Sequence, residues 1–525
     1  MSMLISNKVV RSQSRRMSRY VDLTREELIG RLEALDSTPE AGPSTLPSSL
    51  SKQPTKPKKS PKPFHFPSHP TRHIALLIAY HGWPYSGLAL QIAPPSTSSS
   101  PSSSSKEPNT VEGELLKALE RAKLIEEGKG WEGCGYSRCG RTDRGVSGEG
   151  QVVDLWVRST RRTGDGGVDL VEGSWRAPIE PSRPKPPDPA ENEPAQNGND
   201  SLPPPLPPPP TKPSKVKMAE ELPYPRILNS ILPPSIRILA WSPLSPSFNS
   251  RFSCQSRHYK YTFHLKPSPS LKPLNLLLMY EAANLLVGEH DFRNFCRLDG
   301  SKQIFNHSRR VLSTSFDTTS IEESNGGVVV FNLIGTAFLW HQVRHIMGVL
   351  FLVGSGIEPP SIISELLDVE RNPGKPNFVL AHPLPLTLYE CSYEDEELDW
   401  RISGYDGFFS SLSVEERGRI VPEEGGMRES LERQLEEARQ EAEIRAWQVG
   451  GGLRRLRDVF GPSEEVGHRK EGLVSHPIGG GEMLVTGRYQ QVMERSRGET
   501  PDEVNRKWKE KKGRSQVVGG EGEME

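Results

Sequence analysis

Tyr136-Ser137-Arg138-Cys139-Gly140-Arg141-Thr142-Asp143-Arg144-Gly145-Val146-Ser147 is the stretch on which the reading of this chain turns. An aspartate stands between two arginines, in a segment whose glycines permit tight turns and close approach of a ligand. Guanidinium groups beside a carboxylate favour its ionised form, as a nucleophile requires. The same arginines can hold phosphates through paired hydrogen bonds. Composition alone leaves a second reading open, in which Asp143 is a turn residue in a surface ion pair of little energetic worth.

Working outward, the stretch leads into residues 152–157, where Val153, Leu155 and Val157 alternate with other side chains and predict a strand. Upstream, residues 73–80 predict a largely apolar strand ended by the turn-rich His81-Gly82-Trp83-Pro84-Tyr85-Ser86-Gly87. Between them, Asn109 and Glu112 read as the cap of a helix carrying Val111, Leu115, Leu119 and Ala122 on one face. Downstream, residues 257–264 form the clearest strand, with Tyr259, Tyr261 and Phe263 on one side. A helix offering Leu277, Tyr280, Ala283, Leu286 and Val287 as its buried face follows, ended by Gly288. Residues 327–334 predict another strand, and residues 339–353 an apolar helix closed by Gly354.

Only 34% of the 525 residues are hydrophobic, against 48 Pro and 47 Gly, so the pattern predicts one core broken by disordered insertions. Formal net charge is -1, but its distribution is uneven. Residues 251–310 carry ten Lys/Arg against four Asp/Glu, and residues 390–445 carry seven against seventeen. A basic working region with an acidic appendage fits a polyanion-binding core. Cys134, Cys139, Cys254, Cys296 and Cys391 follow no zinc spacing, and the lack of a secretory signal sets a reducing compartment as the expectation. The first nineteen residues are basic and acid-free, which reads as a disordered leader or a weak mitochondrial transit signal. No apolar run is long enough to cross a bilayer, so no membrane association is expected.

Arg141-Thr142-Asp143-Arg144-Gly145-Val146 resembles the active-site motif of the TruA family of tRNA pseudouridine synthases. Three further elements resemble that family in the same order. They are residues 252–263 (FSCQSRHYKYTF), residues 288–295 (GEHDFRNF) and residues 338–346 (FLWHQVRHI), so the likeness runs from about residue 72 to 393. Ser137-Arg138-Cys139-Gly140, Asn294-Phe295-Cys296 and Glu499-Thr500-Pro501-Asp502-Glu503 are most similar to the eukaryotic group that modifies uridines 38 and 39. One departure is Gly148-Glu149 after Ser147, which brings an extra carboxylate near the site.

The resemblance implies a pseudouridine synthase fold of the α+β class. It would have a two-part mixed or antiparallel sheet, flanking helices, a central active-site cleft, and disordered insertions and tail. The expected plan gives residues 1–70 to an N-terminal amphipathic helix and disordered linker, and 71–157 to the first half of the catalytic domain, with an insertion at 94–108. A disordered Pro-rich insertion then spans 158–222, and the second half spans 223–400. An acidic, mostly flexible extension covers 401–525, with a late helix near 500–512 started by Thr500, Pro501 and Glu503.

The resemblance also assigns roles. Asp143 would be the nucleophile, Arg344 would orient it through a charge-assisted pair, and Tyr259 would stack on the target uracil and serve in proton transfer. Arg138, Arg141 and Arg144 would bind substrate, and Arg251, Arg257, Lys260, Arg293 and Arg297 would add phosphate grip. The partner implied is tRNA at its anticodon stem-loop, with a homodimer left open and a cytoplasmic or nuclear location expected. His290 and Asp291 are too few for a metal, and neither metal nor organic cofactor is expected. Three functions stay open: a synthase for uridines 38 and 39, a relative with other RNA targets, and a catalytically silent RNA-binding protein or chaperone.

Overall fold

The computed structural model describes residues 64–91, 108–161, 173–179, 220–268, 271–320, 327–406, 413, 416, 421–461 and 473–520. The helix expected before residue 36, and residues 94–107, 162–172 and 180–219 of the expected insertions, lie outside them.

A ten-stranded sheet organises the fold. Its strands are β1 (Thr71–Tyr80), β2 (Ser137–Arg138), β3 (Ser147–Arg158), β4 (Trp175–Arg176), β5 (Ile236–Pro243), β6 (Ser256–His264), β7 (Gly288–Asp291), β8 (Ser308–Ser320), β9 (Val328–Gly335) and β10 (Leu386–Ser392). The order is β4-β1-β3-β10-β6-β9-β8-β7, with β5 also on β1 and β2 also on β3. Every pairing is antiparallel except β3 with β10. This α+β architecture, with its mixed sheet in two parts, is the class expected.

Two hydrophobic cores flank that parallel seam. β1 reads as a nearly continuous apolar run because it is covered on both faces. Ile74, Leu76 and Ile78 point with Val153, Leu155 and Val157 into the first core, while Ala75 and Val152 face the second. The first core is closed by α1 (Val111–Arg121) and α2 (Tyr224–Asn229). Thr110 caps α1, its side chain accepting from the Gly113 N–H at 3.1 Å, rather than Asn109. The second core lies under β6, β8 and β9. It takes α3 (Leu276–Asn284), α4 (Gln342–Gly354), buried at nearly every position, and α5 (Ile362–Leu367).

Three expectations change. α3 buries Met279, Ala282, Ala283 and the following Leu286, while Leu277, Tyr280 and Val287 are exposed. The helix ends at Asn284, its buried stripe includes the small residues Ala282 and Ala283, and it packs against α4. Second, the chain after the Pro-rich segment returns first to the first half. α2 and β5 fill its core, and only β6 crosses over.

Third, both ends of the expected 158–222 insertion, and parts of the extension beyond 401, are built into the structure. Arg72, Arg161 and Arg401 converge on Asp406, all four almost fully buried. Arg72 lies 2.8 Å and Arg161 3.0 Å from its carboxylate. Glu221 adds a second carboxylate 3.5 Å from Arg72 and accepts from the Ser159 hydroxyl at 2.6 Å. Further on come α6 (Pro422–Phe460), β11 (Val474–Gly479), β12 (Glu482–Thr486) and α7 (Pro501–Gly520). α6 is exposed along most of its length and laced by pairs such as Arg428–Glu432 and Arg445–Glu441. The β11–β12 hairpin packs on α4 and on Tyr261, whose hydroxyl donates to the His382 carbonyl at 2.9 Å and lies 3.4 Å from the Ile478 carbonyl. Among the described residues no helix is long and apolar enough to cross a membrane.

Removing Asp406 would leave the buried Arg161 without its carboxylate and take one of two from Arg72 and Arg401, which keep Glu221 and Asp399. Breaking such a network from one side costs about 3–5 kcal/mol. Asp406→Ala is therefore expected to lower the thermal midpoint sharply in a calorimetric or circular-dichroism melt. Glu437→Ala on exposed α6 should leave it nearly unchanged.

Candidate active site

The loop that carries Asp143 is pinned from both ends. Cys139 N–H donates to the Val152 carbonyl at 2.9 Å, and the Gln151 side chain donates to the Gly140 carbonyl at 2.7 Å. A tight turn follows, closed by Val146 N–H on the Asp143 carbonyl at 3.1 Å, with Gly145 at φ +80° in the position that favours glycine. The buried Tyr80 hydroxyl hydrogen-bonds the Thr142 hydroxyl at 2.7 Å, and Leu88 N–H donates to the Thr142 carbonyl at 3.2 Å. Gly82 lies so close that a Cβ there would sit 1.9 Å from the Val146 carbonyl oxygen.

Beyond the loop, β3 meets β10 in parallel register, Ser147 opposite Thr387 and Gly148 opposite Leu388. Gly148 and Gly150 make the seam possible. A Cβ on Gly148 would meet the Tyr80 ring at 2.7 Å, and one on Gly150 the Tyr389 carbonyl oxygen at 2.3 Å. Glu149, between them, is exposed, and it is not among the groups acting on Asp143.

Asp143 thereby faces the second half of the molecule, with its side chain about one quarter exposed. Its direct partners are two residues of the 338–346 motif that the sequence reading did not assign to it. The Trp340 indole N–H donates to Oδ1 at 3.1 Å, and His341 Nε2 lies 3.5 Å from Oδ2. Both precede α4 in a turn where His341 takes φ +62°, a left-handed conformation costly for a residue with a side chain. That turn delays α4 to Gln342, three residues later than expected.

Arg344 does not pair directly with Asp143. Its Nε donates to the Ala381 carbonyl at 2.7 Å, and the Ala381 N–H donates back to the Arg344 carbonyl at 2.9 Å. Backbone anchoring at both ends holds the guanidinium back from the carboxylate, and its terminal nitrogens have no hydrogen-bond partner among the described residues. It still acts on Asp143 through space. Burial raises the Asp143 pKa above its ordinary value, and Arg344, the Trp340 hydrogen bond, Lys302 and Arg297 oppose that rise. Burial and the same cations hold His341 down to about 4, so it is neutral at pH 7. His345 is likewise neutral, lowered to about 3 by burial and by Lys375. Its Nδ1 lies 3.0 Å from the His341 carbonyl and its Nε2 3.0 Å from the Lys375 amine, which assigns the proton to Nδ1.

Tyr259 lies on β6 opposite Leu388, 9% exposed, with its ring edge-on to Phe338 at 5.1 Å. Burial, with nearby thiols and Asp143, raises its pKa, so it is a neutral phenol across the physiological range. The three arginines expected to bind substrate differ. Arg141 and Arg144 are exposed and free of ion pairs among the described residues. Arg138 instead pairs with buried Glu112, which also accepts from Tyr136 at 2.9 Å and from Leu90 N–H at 2.8 Å. A buried carboxylate without a cation would be costly, so Arg138 is held as its partner.

The further cations divide in the same way. Arg257 is a strut, donating to the Thr336 and Cys139 carbonyls at 2.6 and 3.1 Å. Arg293 pairs with Asp291 at 2.6 Å, and His290 Nε2 lies 3.1 Å from the Val287 carbonyl. Among the described residues no cluster of His, Cys, Asp and Glu has the makings of a metal site. All five cysteines are free thiols.

A carboxylate of raised pKa at the seam of two sheet halves, amid cations and near a buried tyrosine, suits covalent or acid–base work on a polyanion. Comparison with known proteins agrees. A family model described as tRNA pseudouridine synthase matches residues 282–394, the part that carries Trp340, His341 and Arg344. The chain is 36% identical over 338 residues to a human tRNA pseudouridine(38/39) synthase, covering 63% of this chain and 58% of that one. It is 38% identical over 349 residues to the protein of that name from Saccharomyces cerevisiae, covering 66% and 62%. A probable tRNA pseudouridine synthase of Caenorhabditis elegans is 35% identical over 344 residues, covering 65% of this chain and 72% of that one. The chain belongs to the tRNA pseudouridine synthase family. It spans about three-fifths of the length of the human and yeast relatives.

The raised pKa of Asp143 has a consequence for stability. A carboxyl group whose folded pKa exceeds its unfolded one favours the fold when protonated, and that contribution is lost as pH rises through the folded pKa. Above its folded pKa the ionised side chain therefore opposes folding. Asp143→Asn, which keeps an acceptor for Trp340, is expected to melt at the same or a higher temperature than wild type at pH 7. The gap should narrow as pH falls toward the ordinary carboxylate range. A clear loss of stability at pH 7 would show that the carboxylate is comfortable where it lies.

Proposed function

We propose that this chain isomerises uridine to pseudouridine in tRNA, at positions 38 and 39 of the anticodon stem-loop. The observation that carries the reading is Asp143 itself. It is the one carboxylate on a pinned loop at the seam, held by Trp340 and facing Tyr259 and Arg344 from the other half. The names of the human and yeast relatives support the choice of positions.

The reaction breaks the bond between uracil N1 and ribose C1′, turns the base, and forms a bond from C5 to C1′; the C5 proton is lost and N1 gains one. Ionised Asp143 is suited to stabilise or capture the electron-poor C1′ while the base is detached. Tyr259, a neutral phenol with no hydrogen-bond partner among the described residues, offers a ring to stack on and a hydroxyl to orient the turning base. Arg344 keeps its terminal donors for the uracil carbonyls or the ribose phosphate. A paired or stacked base must first leave its helix at a cost of a few kcal/mol. Exposed Arg141 and Arg144, flanking Asp143, are placed to meet the phosphates on either side of that base.

Carbodiimide mapping of pseudouridine on tRNA incubated with wild-type protein and with Asp143→Ala tests this. New signal at 38 or 39 with wild type alone is the expected result. Signal elsewhere in the tRNA would move the target and keep the chemistry. A folded wild type that binds several tRNAs and yields no signal on any of them would leave an RNA-binding protein without this activity.

A further inference from the structure

Two cations and one helix near the nucleophile are not used by the chemistry above. The Arg297 guanidinium carbon lies 4.6 Å and the Lys302 amine 4.7 Å from the centre of the Trp340 ring, and the Arg297 N–H donates to the Trp340 carbonyl at 2.9 Å. This is the indole whose N–H holds Asp143. Lys302 has a loose partner in Asp299 at 3.5 Å, and Arg297 makes no ion pair among the described residues. Both side chains are exposed and border a shallow, open recess. Its far wall is Pro501 and Asn505, from α7.

The loop that carries the two cations owes its shape to α7. Gly300 is pressed against the helix so closely that a Cβ would meet the Val504 carbonyl oxygen and the Trp508 Cβ, each at 2.8 Å. Gln303 takes φ +48° and its amide donates to the Asn505 carbonyl at 3.2 Å. Asn505, 5% exposed, donates from its side chain to the Ile304 carbonyl at 3.0 Å. The helix start is fixed by reciprocal bonds, Thr500 N–H to Glu503 at 2.8 Å and Glu503 N–H to the Thr500 hydroxyl at 3.4 Å.

We propose that α7 builds an RNA-phosphate subsite beside Asp143 by holding the loop that presents Arg297 and Lys302 over Trp340. The inference rests on the tRNA reading above. The pair of exposed cations over the Trp340 ring favours an anionic phosphate at the mouth of the recess. A phosphate placed there would sit one recess away from the nucleophile, where it can set the position of the nucleotide next to the target. Asn505 is then a positioning residue that touches no RNA.

The test is equilibrium binding of the full-length protein to tRNA over a range of salt. Each phosphate that the protein no longer neutralises lowers the slope of log affinity against log salt by about one. Arg297→Ala/Lys302→Ala, two surface changes, is expected to weaken binding and lower that slope by about one or more. Asn505→Ala removes no charge, yet it is expected to lower the slope in the same direction. A double variant with the wild-type slope overturns the subsite. A folded Asn505→Ala protein with wild-type slope and affinity overturns the role of α7. Pseudouridine formed by wild type on the same tRNA is read in parallel. Binding without product would count against the enzymatic reading, while the slopes would still judge the subsite.

Discussion

The parallel pairing of β3 with β10 is the contact on which the rest of the structure depends. Two residue pairs, Ser147 with Thr387 and Gly148 with Leu388, join a sheet half built around β1 to one built around β6. Parallel pairing needs a long crossover, and here the crossover is most of the chain. Ser147 is four residues from Asp143, so the seam fixes how far the carboxylate reaches into the second half. Gly148 and Gly150 let Tyr80 and Tyr389 close on the strand from either side, which a side chain at either position would prevent.

Across that seam the electrostatics are unbalanced. Asp143, about one quarter exposed, receives one hydrogen bond, from Trp340, while the Arg344 guanidinium that acts on it through space is anchored on the Ala381 carbonyl. Burial outweighs the cations, so the carboxyl titrates above its ordinary value. The neighbouring imidazoles of His341 and His345 are kept neutral by burial and by the same cations, so no imidazolium neutralises Asp143. A carboxylate held short of full neutralisation retains reactivity that a tight ion pair would suppress, and the fold bears the cost.

Much of the central sheet was legible because its periodicity is strong. Tyr259, Tyr261 and Phe263 alternate as β6 requires, and all three are buried. Asp143 was legible from its arginine-flanked, glycine-bearing loop. The partners were harder. Trp340 and His341 stood in a stretch already singled out for Arg344, but nothing local announces that His341 breaks the helix with a left-handed backbone. Arg138 looked like a substrate ligand because Glu112 lies far upstream and is charged, which gives no hint that it is buried. The C-terminal segments were read as tail because they bring few apolar residues to the core. Their docking rests on single groups such as Val492, Asn505 and Asp406, each bonded to a residue more than a hundred positions away.

The central claim is that an ionised, partly buried Asp143 of raised pKa performs the chemistry. The most direct measurement is the single-turnover rate of pseudouridine formation on tRNA as a function of pH. The rate should rise with pH on its acid side through one ionisation and reach a plateau near neutrality. The midpoint of that rise should lie clearly above 3.8, the value of an unperturbed aspartate. A rate that stays at its plateau down to pH 4 in folded, tRNA-bound protein would contradict the account, because it would require a carboxylate stabilised by a direct ion pair that Asp143 does not have.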